Sequence, residues 1–145
     1  MLRTVSLLLI SAFFLAGGIM HFTHDTELAA ITPLPYAYQI VWVTGIMEFL
    51  FVVLLWIPRY RLIAALWLCL FCVAVLTANI NMAINDLPMF GQHVSPFIRW
   101  MRIPAQFGLI AWILYAVDAH PHLARYGLRG FFRLPSTLAR HADSP

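Results

Sequence analysis

From Leu62 to Ala83 the chain runs through 22 residues without one charged side chain. A helix needs about 20 mostly apolar residues to cross the hydrocarbon of a bilayer. Three more stretches have the same character. Thr4 to Thr23 carries only the titratable His21, Ala37 to Ile57 carries only Glu48, and Ile103 to Val117 carries no charge. The last is short. It reaches spanning length if its helix starts near Ile98 and Arg102 extends its guanidinium to the interface. A backbone in lipid must satisfy its polar groups internally, so such segments are helices. The expected fold is all-α, an integral membrane four-helix bundle, with spans at about 4–23, 37–57, 62–83 and 98–118.

Composition supports one such domain. The chain is 62% hydrophobic and only 10% charged, whereas soluble domains carry about a quarter charged residues. The joints carry turn chemistry. Pro33 and Pro35 precede the second span and Pro58 ends it, while Pro88, Gly91 and Pro96 lie in the third loop. Pro104 is expected in the first turn of the fourth helix, where its missing N–H costs nothing.

Arginine placement sets an orientation. All nine basic residues are arginine. Arg3, Arg59, Arg61, Arg125, Arg129, Arg133 and Arg140 fall on one side of the four-span arrangement. Arg99 and Arg102 fall on the other, with Asp25, Glu27 and Asp86. Both termini are therefore expected in the cytoplasm, with the loops of His24 and His93 outside. The first span could instead be read as a signal peptide, with small residues at Ala16, Gly17 and Gly18, but it lacks an A-x-A site and is long for one. Residues 1–119 form the expected bundle. Residues 120–145 form a basic cytoplasmic tail, in which Arg125, Arg129 and Arg133 beside Phe131 and Phe132 suit an anionic leaflet. The arginines do not form a patch interleaved with exposed aromatics, so nucleic acid is not an expected partner.

The most informative residue is Glu48. It lies 11 residues past Ala37, about 16 Å into a core about 30 Å thick. A carboxylate there must face the protein interior and find a partner, or be protonated. His21, Asn81, Arg102 and Gln106 are the candidate companions in a ligand site, with Gly45, Thr77 and Asn79 as secondary candidates. Thr77 and Asn81 share a helix face, as do Arg102 and Gln106. Gly45 is expected to leave room one turn above the acid, and Asn79 to point away from Asn81. Together these residues outline a polar funnel in the outer half, with Glu48 at its floor and Arg102 at its rim. The same residues could instead hold helices together without a ligand.

Several of these positions carry a family pattern. Gly18-x-x-His21-Phe22, Leu34-Pro35, Gly45-x-x-Glu48, Asn79-Ile80-Asn81-Met82-Ala83 and Arg102-x-Pro104-x-Gln106 resemble the DoxX-like family of small four-helix membrane proteins. The resemblance runs from about Phe14 to Trp112. It implies a four-helix bundle in the bacterial inner membrane. The family's namesake is a small subunit of a thiosulfate:quinone oxidoreductase, and relatives are linked to redox complexes and oxidative-stress tolerance. Most members lack a defined activity, so the resemblance speaks to architecture more than reaction. His24-Asp25 stands where the pattern would place a proline nearby, which leaves the first outer loop open.

Other chemistries have weaker support. Cys69 and Cys72 form a C-x-x-C inside an apolar run, away from the helix N-terminus that makes such thiols reactive. They are expected to be packing residues far from the funnel. Met20, Met82, Met89 and Met101 with His21, His24 and His93 would suit Cu(I), but methionine commonly fills apolar gaps. His120-x-His122 is read as a helix-end turn. No metal site is expected. No phosphate loop, dinucleotide fingerprint or nucleophile motif occurs, so a self-contained catalytic centre is not indicated. The favoured expectation is a redox-associated membrane subunit with a quinone-like ligand in the funnel. The alternatives are a non-catalytic docking subunit of a membrane complex and a copper-handling protein. Expected partners are the lipid bilayer and either a redox polypeptide or a second copy of the chain.

Overall fold

The computed structural model describes residues 1–90 and 92–119. The basic tail, its arginines and His120-x-His122 lie outside the described residues, as does Gly91. The described chain is all-helical, with helices α1 (Leu2–Thr23), α2 (Asp25–Ile31), α3 (Ala37–Trp56), α4 (Arg61–Ile84) and α5 (Pro96–Ala116). Among the described residues it has no strand; one isolated bridge joins Met89 and Gln92.

Three helices, α1, α3 and α4, are long and apolar enough to cross a membrane, where the sequence reading expects four. The difference lies in α5. Its 21 residues are sufficient in length, but its first half carries Arg99, Arg102 and Gln106, which lowers its apolar character. Its start also corrects the placement of Pro104. Ser95 caps the helix, its hydroxyl accepting from the Ile98 N–H at 3.4 Å, and Pro96 takes the first helical position. Pro104 therefore lies inside α5. Lacking an N–H, it leaves the Trp100 carbonyl without its usual helical donor.

A short helix, α2, of seven residues stands in the first outer loop, where the sequence carries no helix signal. Asp25 and Glu27 occupy its first turn, where carboxylates favour the positive end of the helix dipole. Thr32 ends it, its hydroxyl donating to the Leu28 carbonyl at 2.8 Å. Chain reversal into α3 uses Tyr36 in a left-handed conformation, φ 62°.

The four long helices contact one another in a ring, α1 to α3, α3 to α4, α4 to α5 and α5 back to α1, while α2 packs on α3, α1 and α4. The apolar core occupies the end of this ring opposite α2. Leu7, Ile10 and Phe14 meet Phe51, Val52 and Leu55, then Ala64, Ala65, Leu68 and Cys72, and finally Ile113 and Ala116. Trp56 donates its indole N–H to Ser11 at 3.0 Å, tying α3 to α1 there. Arg3 pairs with Asp118, closing the same end across α1 and the chain after α5. Leu8, Phe13, Val43, Ile46, Val53, Trp67 and Leu70 point outward, an exterior compatible with lipid.

Candidate functional site

The polar residues gather toward the α2 end, and the structure sorts them into three groups. The first lies where α1 crosses α3. Gly17, Gly18 and Gly45 permit a close approach. A Cβ on Gly45 would lie 2.7 Å from the His21 Cβ and 2.9 Å from a Phe22 ring carbon, and one on Gly18 would lie 2.8 Å from the Phe49 ring. Gly45 is therefore filled by α1 and does not leave the room above Glu48 that the sequence suggested. Glu48 is 5% exposed. Its Oε1 lies 3.8 Å from His21 Nε2, its Oε2 has no hydrogen-bond partner, and Gly17 lies directly beside Oε2. On the other edge of the imidazole, His21 Nδ1 lies 3.1 Å from the Thr44 hydroxyl, which donates to the Val41 carbonyl at 2.8 Å.

The second group joins α4, α5 and the loop between them. Arg102 Nε donates to the Asn79 side-chain carbonyl at 3.0 Å, and one terminal nitrogen donates to the Met89 sulfur at 3.2 Å. Asn79 is buried at 3% exposure. Thr77 is exposed and donates to the Ala74 carbonyl. The expected face of α4 is thus corrected. Asn79 turns inward toward Arg102, and Thr77 turns away. Gln106 donates to the Cys72 backbone carbonyl at 3.1 Å. Cys72 is therefore next to the polar residues, whereas the sequence reading put the cysteine pair far from them. Both cysteines are free thiols.

The third group anchors α2. The Asn81 amide donates to the Ile31 carbonyl at 2.9 Å, and its oxygen accepts from Asn85 at 2.7 Å. Its hydrogen bonds thus hold the end of α2 on α4. Nearby, Arg99 is buried and pairs with Asp86, whose backbone is left-handed at φ 53°. Sequence reasoning missed this pair. An arginine at a helix start and an aspartate in a proline-bounded loop carry no pairing signal until the loop folds back.

The single funnel expected from the sequence does not form. Among the described residues the basic side chain facing Glu48 is His21, at 3.8 Å, not Arg102. Arg102 instead borders a cleft formed with Glu27, Leu28, Ile31, Pro88, Met89 and Phe90. The cleft volume is ≈ 20 Å³, about one water. The methionines and histidines do not converge: Met82 is in the core, Met89 is against Arg102, His24 is edge-on to Phe90, and His93 is near Asp86. Among the described residues no group of three or more His, Cys, Asp or Glu is placed to hold a metal.

The fold and these buried groups define a helical protein with three helices fit to cross a membrane and ionisable side chains held between apolar segments. Residues 10–117 match a family described as a domain of unknown function, DUF8561, and the chain belongs to that family. No curated protein and no solved structure matches the chain.

Proposed function

We propose that the chain is a multi-pass protein of DoxX-like architecture, a four-helix bundle in the bacterial inner membrane with both termini in the cytoplasm. In this reading it is a redox-associated membrane subunit, and Arg102 receives the polar head of a quinone-like molecule at the outer rim. Closure of the helix ring by α5 supports a fourth span. So does the ion pair that Arg99 of α5 makes with Asp86, because paired charge is what membrane interiors tolerate.

The observation that carries the ligand reading is the surroundings of Arg102. A guanidinium has five N–H donors, and two of its nitrogens are engaged by Asn79 and Met89. The adjoining cleft carries Glu27 and is apolar along Leu28, Ile31, Pro88, Met89 and Phe90. Free donors on a charged, planar group beside an apolar wall suit a ring carbonyl oxygen. A ring cannot enter a volume of one water, so binding requires α2 and residues 88–90 to part. The test is equilibrium binding of a short-tailed benzoquinone to the full chain in nanodiscs. Saturable binding that falls at least tenfold in Arg102→Gln supports the reading; non-saturable partitioning, equal in both proteins, removes it.

The small cleft favours a second reading, a non-catalytic subunit that docks a redox polypeptide while its polar groups serve the fold. That reading predicts a stoichiometric partner after gentle extraction from the native membrane, and Arg102→Gln would leave the association intact.

A further inference from the structure

The Thr44 hydroxyl has one proton and two acceptors in reach, the Val41 carbonyl at 2.8 Å and His21 Nδ1 at 3.1 Å. The shorter contact is the one to Val41. With the proton there, the Thr44 oxygen accepts from His21 Nδ1, and Nδ1 carries the ring hydrogen. In a neutral imidazole this leaves Nε2 as a bare lone pair. That lone pair faces Glu48 Oε1 across 3.8 Å, with both side chains largely withdrawn from solvent. A bare Nε2 opposite a carboxylate would set two acceptors against each other in a low-dielectric site. One proton between them removes the conflict.

We propose that His21 and Glu48 form a one-proton exchange site at the α1–α3 crossing. In one form the carboxyl O–H points to Nε2. In the other the O–H bond has broken and an Nε2–H bond has formed, leaving imidazolium beside carboxylate. The electron pair of the broken bond stays on oxygen, the new bond uses the nitrogen lone pair, and the pair remains neutral overall. The 3.8 Å separation is longer than a hydrogen bond. A change in the Glu48 side-chain torsion or one bridging water closes it. Other titratable groups on the elements packed here are engaged elsewhere. α2, which packs on α1 and α3, carries Asp25, which accepts from the Trp42 indole of α3, and Glu27, which lines the Arg102 cleft. His24, after α1, contacts the Thr23 hydroxyl. α4 carries the Cys72 thiol, and α5 the neutral Gln106 amide, which donates to the Cys72 carbonyl. The proposal uses neither Arg102 nor any ligand, so it stands or falls apart from the quinone reading.

The test is magnetic resonance of the full chain in lipid bilayers, with ¹⁵N-histidine and ¹³C-glutamate labels. The expected result is a hydrogen on His21 Nδ1 throughout, with the His21 Nε2 and Glu48 carboxyl signals shifting together at one pH. In Glu48→Gln the His21 ring keeps its Nδ1 hydrogen and loses that shared transition. In Thr44→Val, a near-isosteric change, the preference for Nδ1–H is lost. A wild-type ring with hydrogen on Nε2 and a bare Nδ1 overturns the proposal. So do His21 and Glu48 signals that move at unrelated pH values, or a His21 transition unchanged in Glu48→Gln. The wild-type tautomer decides the matter even if a variant fails to fold.

Discussion

Gly45→Ala measures how tightly α1 and α3 are pressed together. The added Cβ would meet the His21 Cβ at 2.7 Å, a Phe22 ring carbon at 2.9 Å and the Gly18 carbonyl oxygen at 3.3 Å. Ordinary contact begins at 3.4 Å, so the helices must separate locally by about 0.7 Å, the difference between 3.4 Å and 2.7 Å. The nearest atom is a Cβ, fixed to the α1 backbone, and it cannot swing aside as a side-chain tip would. Overpacking of this kind costs about 1–3 kcal/mol. Against it stands the gain of about 1 kcal/mol when alanine replaces glycine in a helix interior. Gly108→Ala supplies the control, because nothing lies within 4 Å of the position its Cβ would take. Both variants share the propensity gain, so the gap between them isolates the clash. Gly45→Ala should be less stable than Gly108→Ala by about 1–3 kcal/mol, measured by reversible unfolding in the same detergent micelles. Equal stability, or a more stable Gly45→Ala, would refute the close crossing.

Gly17→Ala should cost under about 1 kcal/mol, because its Cβ meets the movable end of Glu48 at 2.9 Å; the resonances of His21 and Glu48 should shift even though stability hardly changes. A double-mutant cycle on Trp56→Phe and Ser11→Ala should return a coupling of about 0.6 kcal/mol, and zero coupling would show that their 3.0 Å hydrogen bond contributes nothing. Asp86→Asn keeps a residue tolerant of the left-handed backbone but leaves Arg99 without its counter-charge. It should destabilise by about 1–3 kcal/mol, toward the lower value because Asp86 is 67% exposed; calorimetry against wild type reads the difference. Cys72 is fully buried, so a bulky maleimide should leave it unmodified in the folded chain and label it after denaturation.

The sequence showed the helices better than the contacts between them. A charge-free run such as Leu62–Ala83 allows few alternatives to a helix, and the structure places α4 at Arg61–Ile84. Proline was a less reliable guide. Pro104 looked like a helix start because the apolar run begins beside it, but Ser95-Pro96 supplied a better cap eight residues earlier. Helix α2 was hidden because seven residues give too little periodicity to recognise. The polar set was legible as a list and not as a geometry. Glu48 and His21 do meet, as their positions on adjoining spans allowed. Arg102 could not be assigned to Asn79 from spacing alone, since the rotation of α4 about its axis is set by packing against α3 and α5. That rotation put Asn79 inside and Thr77 outside.

Native mass spectrometry of the full chain, gently extracted from the membrane of its own host, tests the proposed role of Arg102. A quinone-like mass is expected on the wild-type chain, and its loss in Arg102→Gln. A wild-type chain that emerges with no small molecule, whether bare or attached to another polypeptide, would contradict it.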